Sequence, residues 1–493
     1  MISSISTLFQ MGALLCLGAL AMASPFVSGA EATGFVARMY VVGTALALLT
    51  SLTSDKRGGV DFLISFFFLF FMAVPALVQV SIWTFPWGGN PAYSDVVLAY
   101  GACAAGQVVY LLASSMTIRA SRGGRPPAGT GIQSRNALFY SKWAIGLGIF
   151  AILLAGAAGP SNLFVARTAR EGGFGGLTQQ FLFISRSISL MSMVILGYLA
   201  RQAPLASQRR QNLILALLFI PVFLVINYVP ALPRFVLFGV LISISCLFVD
   251  YSRPRIKVLA AIAAVFVLFA VFPVAKVLAN EGSNLGMLYD NIGAKAILPH
   301  MLTGDFDGFM QIASTVRYIF EFGDFRWGSN FLGVALFFVP RALWHSKPTP
   351  TGEMVAEGLG YWYTNVSSPL PAEAMISFGL IGIFLVFALL GYAVARIEIL
   401  AGFPGRRVHS MPAFFLYCLL MGFIIIILRG ALNAVAPQFA SGFLAFAFMQ
   451  YCKLNRVSWG FGRKRTTLSG LAGPGGGQDP GAGGGPRSAA EST

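Results

Sequence analysis

Between positions 275 and 370 the chain gathers side chains able to bind and transfer charged groups: Asp305, Asp307, Arg317, Arg326, Arg341, His345 and Lys347, with Glu373 just beyond. The apolar stretches on either side carry almost no charge, and charge in such a chain is costly enough to need a reason. A guanidinium grips phosphate oxygens through a two-pronged fork and keeps its proton. A carboxylate at an apolar boundary can have the raised pKa that lets it accept a proton from a hydroxyl. Together these residue types can bind an anionic group and take up a proton.

Other candidates lie outside that stretch. Arg429 follows the apolar run 423 to 428, where an unpaired cation would cost at least ~2.5 kcal/mol, so it is expected to face the bundle interior or its outer mouth with an anionic partner, Glu373 among the candidates. Arg167 and Arg170, beside Glu171 and a glycine-rich turn, are candidates for contact with an anionic ligand or for a solvated helix end. Trp344, Tyr361, Trp362 and Tyr363 could stack on a ligand ring, although aromatic residues at a membrane boundary need no such role.

Absences narrow the chemistry. No Walker loop and no dinucleotide-binding glycine fingerprint occurs, which excludes ATP and dinucleotides. The three histidines are too scattered for a structural metal site. Asp305-Phe306-Asp307 has the spacing of a carboxylate pair that holds a divalent ion in many glycosyltransferases, but a solvated or arginine-paired role is the stronger reading. No metal and no cofactor is therefore expected.

The elements that position these residues follow from composition. Of 493 residues 56% are hydrophobic and 11% charged, and the mean hydropathy is +0.74, which identifies an all-α integral membrane protein. Spans of about 20 apolar residues are expected near 6–28, 34–53, 60–82, 93–118, 136–158, 180–200, 211–229, 232–250, 256–274, 371–395, 411–432 and 435–452. That gives twelve transmembrane helices: nine within 1–274, a long, partly helical outer loop over 275–370, three more helices over 371–452, and a tail over 453–493. The loop's stretch 329–344 is amphipathic enough to lie on a membrane.

Lys and Arg alternate between connections, with Arg57, Arg119, Arg201, Arg255, Arg406 and Arg463 among those marking the cytoplasmic side, so both termini are expected inside and the long loop outside. Most of the net charge of +16 is this fringe, a topology signal with attraction to anionic lipid and no indication of nucleic acid. Apart from Arg186, Lys142 and Arg429 the helices read as clean. The five cysteines fall inside expected helices and suggest no disulfide framework. The first span, although Ala21-Met22-Ala23 resembles a cleavage site, lacks the preceding cation of a signal peptide and reads as uncleaved. The Gly, Ser and Pro-rich residues 466–493 read as disordered.

Two stretches of the loop form a pattern. Val339-Pro340-Arg341-Ala342-Leu343-Trp344-His345-Ser346-Lys347-Pro348, then Pro371-Ala372-Glu373 and Phe378-Gly379-Leu380-Ile381-Gly382, resemble the signature of bacterial oligosaccharide repeat-unit polymerases, the Wzy-type O-antigen polymerases. The resemblance also covers the helix count, the topology and the loop placement. The spacings Arg341 to Gly352 and Arg317 to Gly328 fit that family's arginine-to-glycine interval, while Arg167 and Arg170 have no such glycine.

The resemblance implies a multi-pass enzyme of the bacterial inner membrane that transfers a growing glycan from undecaprenyl pyrophosphate onto a fresh lipid-linked unit at the outer leaflet. It further implies a chain-length regulator protein as a partner. Arg341 would then stabilise the departing pyrophosphate and Glu373 would be the base, with Asp307 and His345 in reserve. Arg167, Arg170, Arg317, Lys347, Arg429, Asp307 and Trp344 would bind substrate. The sibling O-antigen ligase would be expected to carry a histidine in place of Glu373. The alternative from another class is a flippase for lipid-linked sugar, which would spread its charges along the helices.

Overall fold

The computed structural model describes residues 29–88, 91–121, 134–165, 176–273, 294–402 and 410–455. The chain divides into Met1–Gln450 and Tyr451–Thr493; the architecture below is that of the first unit. The expected span 6–28, Arg167, Arg170 and the tail from 456 onward lie outside the described residues.

Eleven helices account for the remaining expected spans. They are α1 (Ala30–Thr53), α2 (Gly59–Ile82), α3 (Tyr93–Ala120), α4 (Ser134–Ala157), α5 (Gly176–Gln202), α6 (Ala206–Ile226), α7 (Arg234–Ser245) and α8 (Pro254–Val271). After the loop region come α13 (Leu370–Ala401), α14 (Met411–Arg429) and α15 (Leu432–Leu454). Among the described residues ten of these are long and apolar enough to cross a membrane, and α7 is shorter. This is the architecture of a multi-pass membrane protein, in which each helix satisfies its own backbone.

Small residues set the central crossings. α3 and α13 pack along each other; a side chain at Gly391 would strike the Tyr110 carbonyl, so only glycine permits that approach. At the α7–α14 crossing Gly239 and Gly422 bring the two backbones together in the same way.

The region between α8 and α13 was expected to be a long, partly helical outer loop. Its described part holds α9 (Ala294–Met301), α10 (Gly308–Phe322), α11 (Ser329–Ala335) and α12 (Thr351–Gly358). There α10 buries Phe309, Met310, Ile312, Ala313 and Val316 against α3 and α13, with the Phe309 ring 4.2 Å from Tyr100. Within the stretch 329–344, α11 is a short helix followed by turns.

The helices are also less clean than their hydropathy implies. Asp61, Asp95 and Glu398 lie within long apolar helices in addition to Arg186, Lys142 and Arg429. At the end of the bundle away from α9–α12, Asp61 accepts hydrogen bonds from Arg57 at 2.7 Å, Tyr110 at 2.9 Å and Ser51 at 2.8 Å. The Glu398 carboxylate takes the N–H groups of Gly58, Val60 and Asp61 at the start of α2, where orphan donors and the helix dipole favour an anion. Lys257 caps the end of α1 by donating to the carbonyls of Ser51, Ser54 and Arg57. Arg57 and Lys257 are thus buried members of one network.

Candidate functional site

Phe306 decides where the carboxylates of Asp305-Phe306-Asp307 point. Its ring is buried between Phe71 at 5.8 Å and Phe269 at 5.9 Å. Both partners sit on π-helical turns, Phe68–Ala73 and Val267–Val271, a local widening frequently found beside functional sites. Gln79 of α2 fastens the same turn by donating to the carbonyls of Met301 and Phe306 at 2.9 and 3.0 Å. With the central ring pinned, the flanking acids face two arginines brought in by other helices.

Arg429, the last residue of α14, donates to the Gly304 carbonyl at 2.8 Å and lies 3.4 Å from Asp307 Oδ1. Arg234 opens α7; it donates to the Phe272 carbonyl at 3.0 Å and lies 3.5 Å from Asp305 Oδ2. The guanidiniums rest over the rings of Phe235 and Phe272, at 5.0 and 5.2 Å from the centroids, which holds each charge in place while leaving N–H groups for a ligand. Arg429 therefore faces the bundle interior, as its sequence context requires, but its acidic partner is Asp307 and not Glu373.

Asp307 joins the site together. It is 1% exposed and accepts from the Ser367 hydroxyl at 2.7 Å, the Ser367 N–H at 3.1 Å and Trp87 Nε1 at 2.9 Å. These contacts tie α14, the turn before α10, the 85–88 turn and the segment 361–369 leading to α13 around one cavity of about 640 Å³. Its walls carry Arg234, Arg429, Asp305, Asp307, Trp87 and Tyr363, with Gln179, Asn365 and Gln438 as further polar groups. That size lies within the usual range for small-molecule sites.

No protein-family model matches the chain, and no curated protein or solved structure is significantly similar to it. The geometry carries the functional reading from here.

Glu373 occupies a separate nest. Its carboxylate is fully buried and accepts from Asn330 Nδ2 at 2.6 Å, Thr351 Oγ1 at 2.7 Å and the Leu432 N–H at 3.0 Å. It clasps α11, α12 and the start of α15 to α13. The Phe378-Gly379 step interrupts α13 as a kink, with Gly379 at φ +61°, a conformation suited to glycine; Glu373 therefore sits on a helical stub preceding that break.

The Pro-Arg and Lys-Pro stretch is a surface turn. Exposed Arg341 donates to the Lys347 carbonyl at 3.0 Å, Lys347 donates to the carbonyls of Phe337 and Val339, and Trp344 Nε1 reaches Ser346. Burial and, after it, the Arg341 guanidinium push the Lys347 ammonium below its ordinary pKa. Arg317 pairs with Glu321 at 2.6 Å near the α10 surface, and His345 is exposed. None of Arg317, Arg341, Trp344, Lys347 or Glu373 lines the cavity.

Of the sequence candidates, the structure thus brings together Arg429 and Asp307. It pairs Asp305, singled out in sequence as half of a carboxylate pair, with Arg234, and it adds Arg234 and Trp87, which sequence reasoning missed. The signal for Arg234 was available: a cation at a helix start on the side whose short connections are otherwise almost free of Lys and Arg. Trp87 had none, because its part depends on a hydrogen bond to a residue 220 positions away.

Proposed function

We propose that the chain transfers an oligosaccharide from a polyprenyl pyrophosphate donor, of the undecaprenyl type, to a hydroxyl of a second lipid-linked unit, as an oligosaccharide repeat-unit polymerase does. The observation that carries this reading is the cavity in which two guanidiniums, each propped on an aromatic ring, face two aspartates. In the reaction the acceptor oxygen bonds to the donor's anomeric carbon, the bond from that carbon to the phosphate oxygen breaks, and the polyprenyl pyrophosphate leaves. Arg234 and Arg429 balance the charge growing on the leaving group, in a site whose donors are fixed in advance.

The acceptor proton needs a carboxylate with room for it. Glu373 has both oxygens engaged by fixed donors, and Asp307 accepts from Ser367, Trp87 and Arg429. Asp305 Oδ2 makes no hydrogen bond and has Arg234 at 3.5 Å. Asp305 is therefore the base this reading favours, and Glu373 becomes the clasp that holds the site's surroundings. Exposed Arg341 and half-buried Lys347, on their surface turn, are suited to meeting a pyrophosphate or lipid headgroup before it reaches the cavity. In this reading the cavity faces the outer side of a bacterial inner membrane, and a chain-length regulator would be a natural partner.

A second reading, translocation of a lipid-linked sugar, draws support from the buried network of Arg57, Asp61, Glu398 and Lys257, since charges along the helices suit a transporter. Deleting the gene in its host separates the two. Loss of the surface-glycan ladder with retention of single-unit caps is the expected result, and loss of both polymer and caps would replace polymerisation by translocation.

A further inference from the structure

Beside the arginines, Trp87 and Tyr363 line the same cavity, and Trp362 packs against both rings. Trp87 lies 4.4 Å from Tyr363 with the planes 24° apart, and Trp362 meets Trp87 at 5.5 Å. Trp87 is held in an unusual posture: its φ of +63° belongs to the left-handed region that a bulky residue rarely adopts, and its indole N–H is fixed on Asp307. Such backbone strain persists only where the surroundings enforce it, and it clusters at ligand sites. Trp362, in contrast, is 74% exposed, a large apolar face turned outward.

An aromatic belt at a membrane boundary is the ordinary explanation for exposed tryptophan. It does not account for this group. Trp87 and Tyr363 line the polar cavity, and the strain and hydrogen bond at Trp87 aim its ring beside Asp307. The carboxamides of Gln179, Asn365 and Gln438 line the same cavity, and each can donate and accept at once. Flat apolar rings beside bifunctional amides match a sugar, which has apolar C–H faces and a rim of hydroxyls that both donate and accept.

We propose that Trp87, Trp362 and Tyr363 form a platform for a sugar ring of the lipid-linked oligosaccharide, with Trp362 as the outer stacking face. The inference rests on the polymerase reading and adds to it the part of the substrate that the arginines do not hold. Through Asp307 one side chain sets both the platform and Arg429, so glycan and pyrophosphate are registered against each other.

The test uses the full-length purified protein and two probes: the lipid-linked repeat unit extracted from a strain lacking this protein, and undecaprenyl pyrophosphate without sugar. Trp362→Ala should weaken binding of the glycan-bearing lipid about tenfold, the upper range for one aromatic contact. Its affinity for undecaprenyl pyrophosphate should stay at the wild-type value, and Trp362→Phe should keep most of the glycan affinity. A Trp362→Ala protein that binds the glycan-bearing lipid as well as wild type overturns the platform. So does one that loses both lipids equally, because that pattern marks an interfacial anchor. Wild-type protein that binds neither lipid overturns the polymerase reading itself, and the platform with it.

Discussion

Arg429→Ala protein is expected to elongate lipid-linked units about 10² to 10³-fold more slowly than wild type, the usual loss when one fixed donor to a developing oxyanion is removed. The guanidinium is held by the Gly304 and Asp305 carbonyls, Asp307 and the Phe235 ring, so its position is set before substrate arrives. Arg429→Lys keeps the charge but loses the fork, and should recover only part of the rate. Asp307 keeps its bonds to Ser367 and Trp87 in both variants, which protects the fold. The measurement is the initial rate of chain extension per folded molecule. Wild-type turnover in Arg429→Ala would remove this residue from the leaving-group site.

The largest expected loss of stability lies at the other end of the bundle. Removing one partner of a buried ion pair costs about 3–5 kcal/mol, because the remaining charge stays buried without compensation. Asp61→Ala strands Arg57, whose side chain is 7% exposed, and also the hydroxyls of Tyr110 and Ser51. Thermal unfolding in detergent should therefore shift downward by many degrees. Arg253→Ala is the control: Arg253 pairs with Asp250 at 3.0 Å but is 64% exposed, and exposed pairs contribute little. Asp61→Ala protein that melts with wild type would show that the network is dispensable.

Hydropathy made most of the helices legible. Each described span from 34–53 to 435–452 corresponds to a helix, because about 20 apolar residues in lipid leave the backbone no alternative. The same reasoning misjudged α10. Its Phe309, Met310, Ile312 and Val316 are apolar enough to join the core, but the charged residues before and after them masked a segment of 15 residues, too short to register as a span. The buried network around Arg57 and Lys257 was not legible. A cation at a helix end reads as a topology signal, and nothing in sequence order brings Asp61, Lys257 and the distant Glu398 to one place.

The site was partly legible for a similar reason. Arg429 stood out because a cation inside an apolar run must find a partner, and Asp307 because acids are rare in this chain. Which acid Arg429 meets is a matter of helix packing: Glu373 and Asp307 both lie close to the end of α14, and only the three-dimensional arrangement assigns the first to Asn330, Thr351 and the Leu432 N–H and the second to the arginine. The Pro-Arg and Lys-Pro stretch was the most recognisable motif, but it forms a surface turn away from the cavity walls. Arg234 became visible only when α7 delivered it to Asp305.

The central claim is that this chain by itself joins one lipid-linked oligosaccharide to another, drawing on the donor's pyrophosphate bond. The direct measurement is chain extension by the purified protein in vesicles given only lipid-linked repeat units, with EDTA present and no nucleotide. A ladder of products longer than one unit, with undecaprenyl pyrophosphate released once per bond formed, is the predicted result. Vesicles in which the units cross the bilayer but are never joined would contradict the account and assign the cavity to transport.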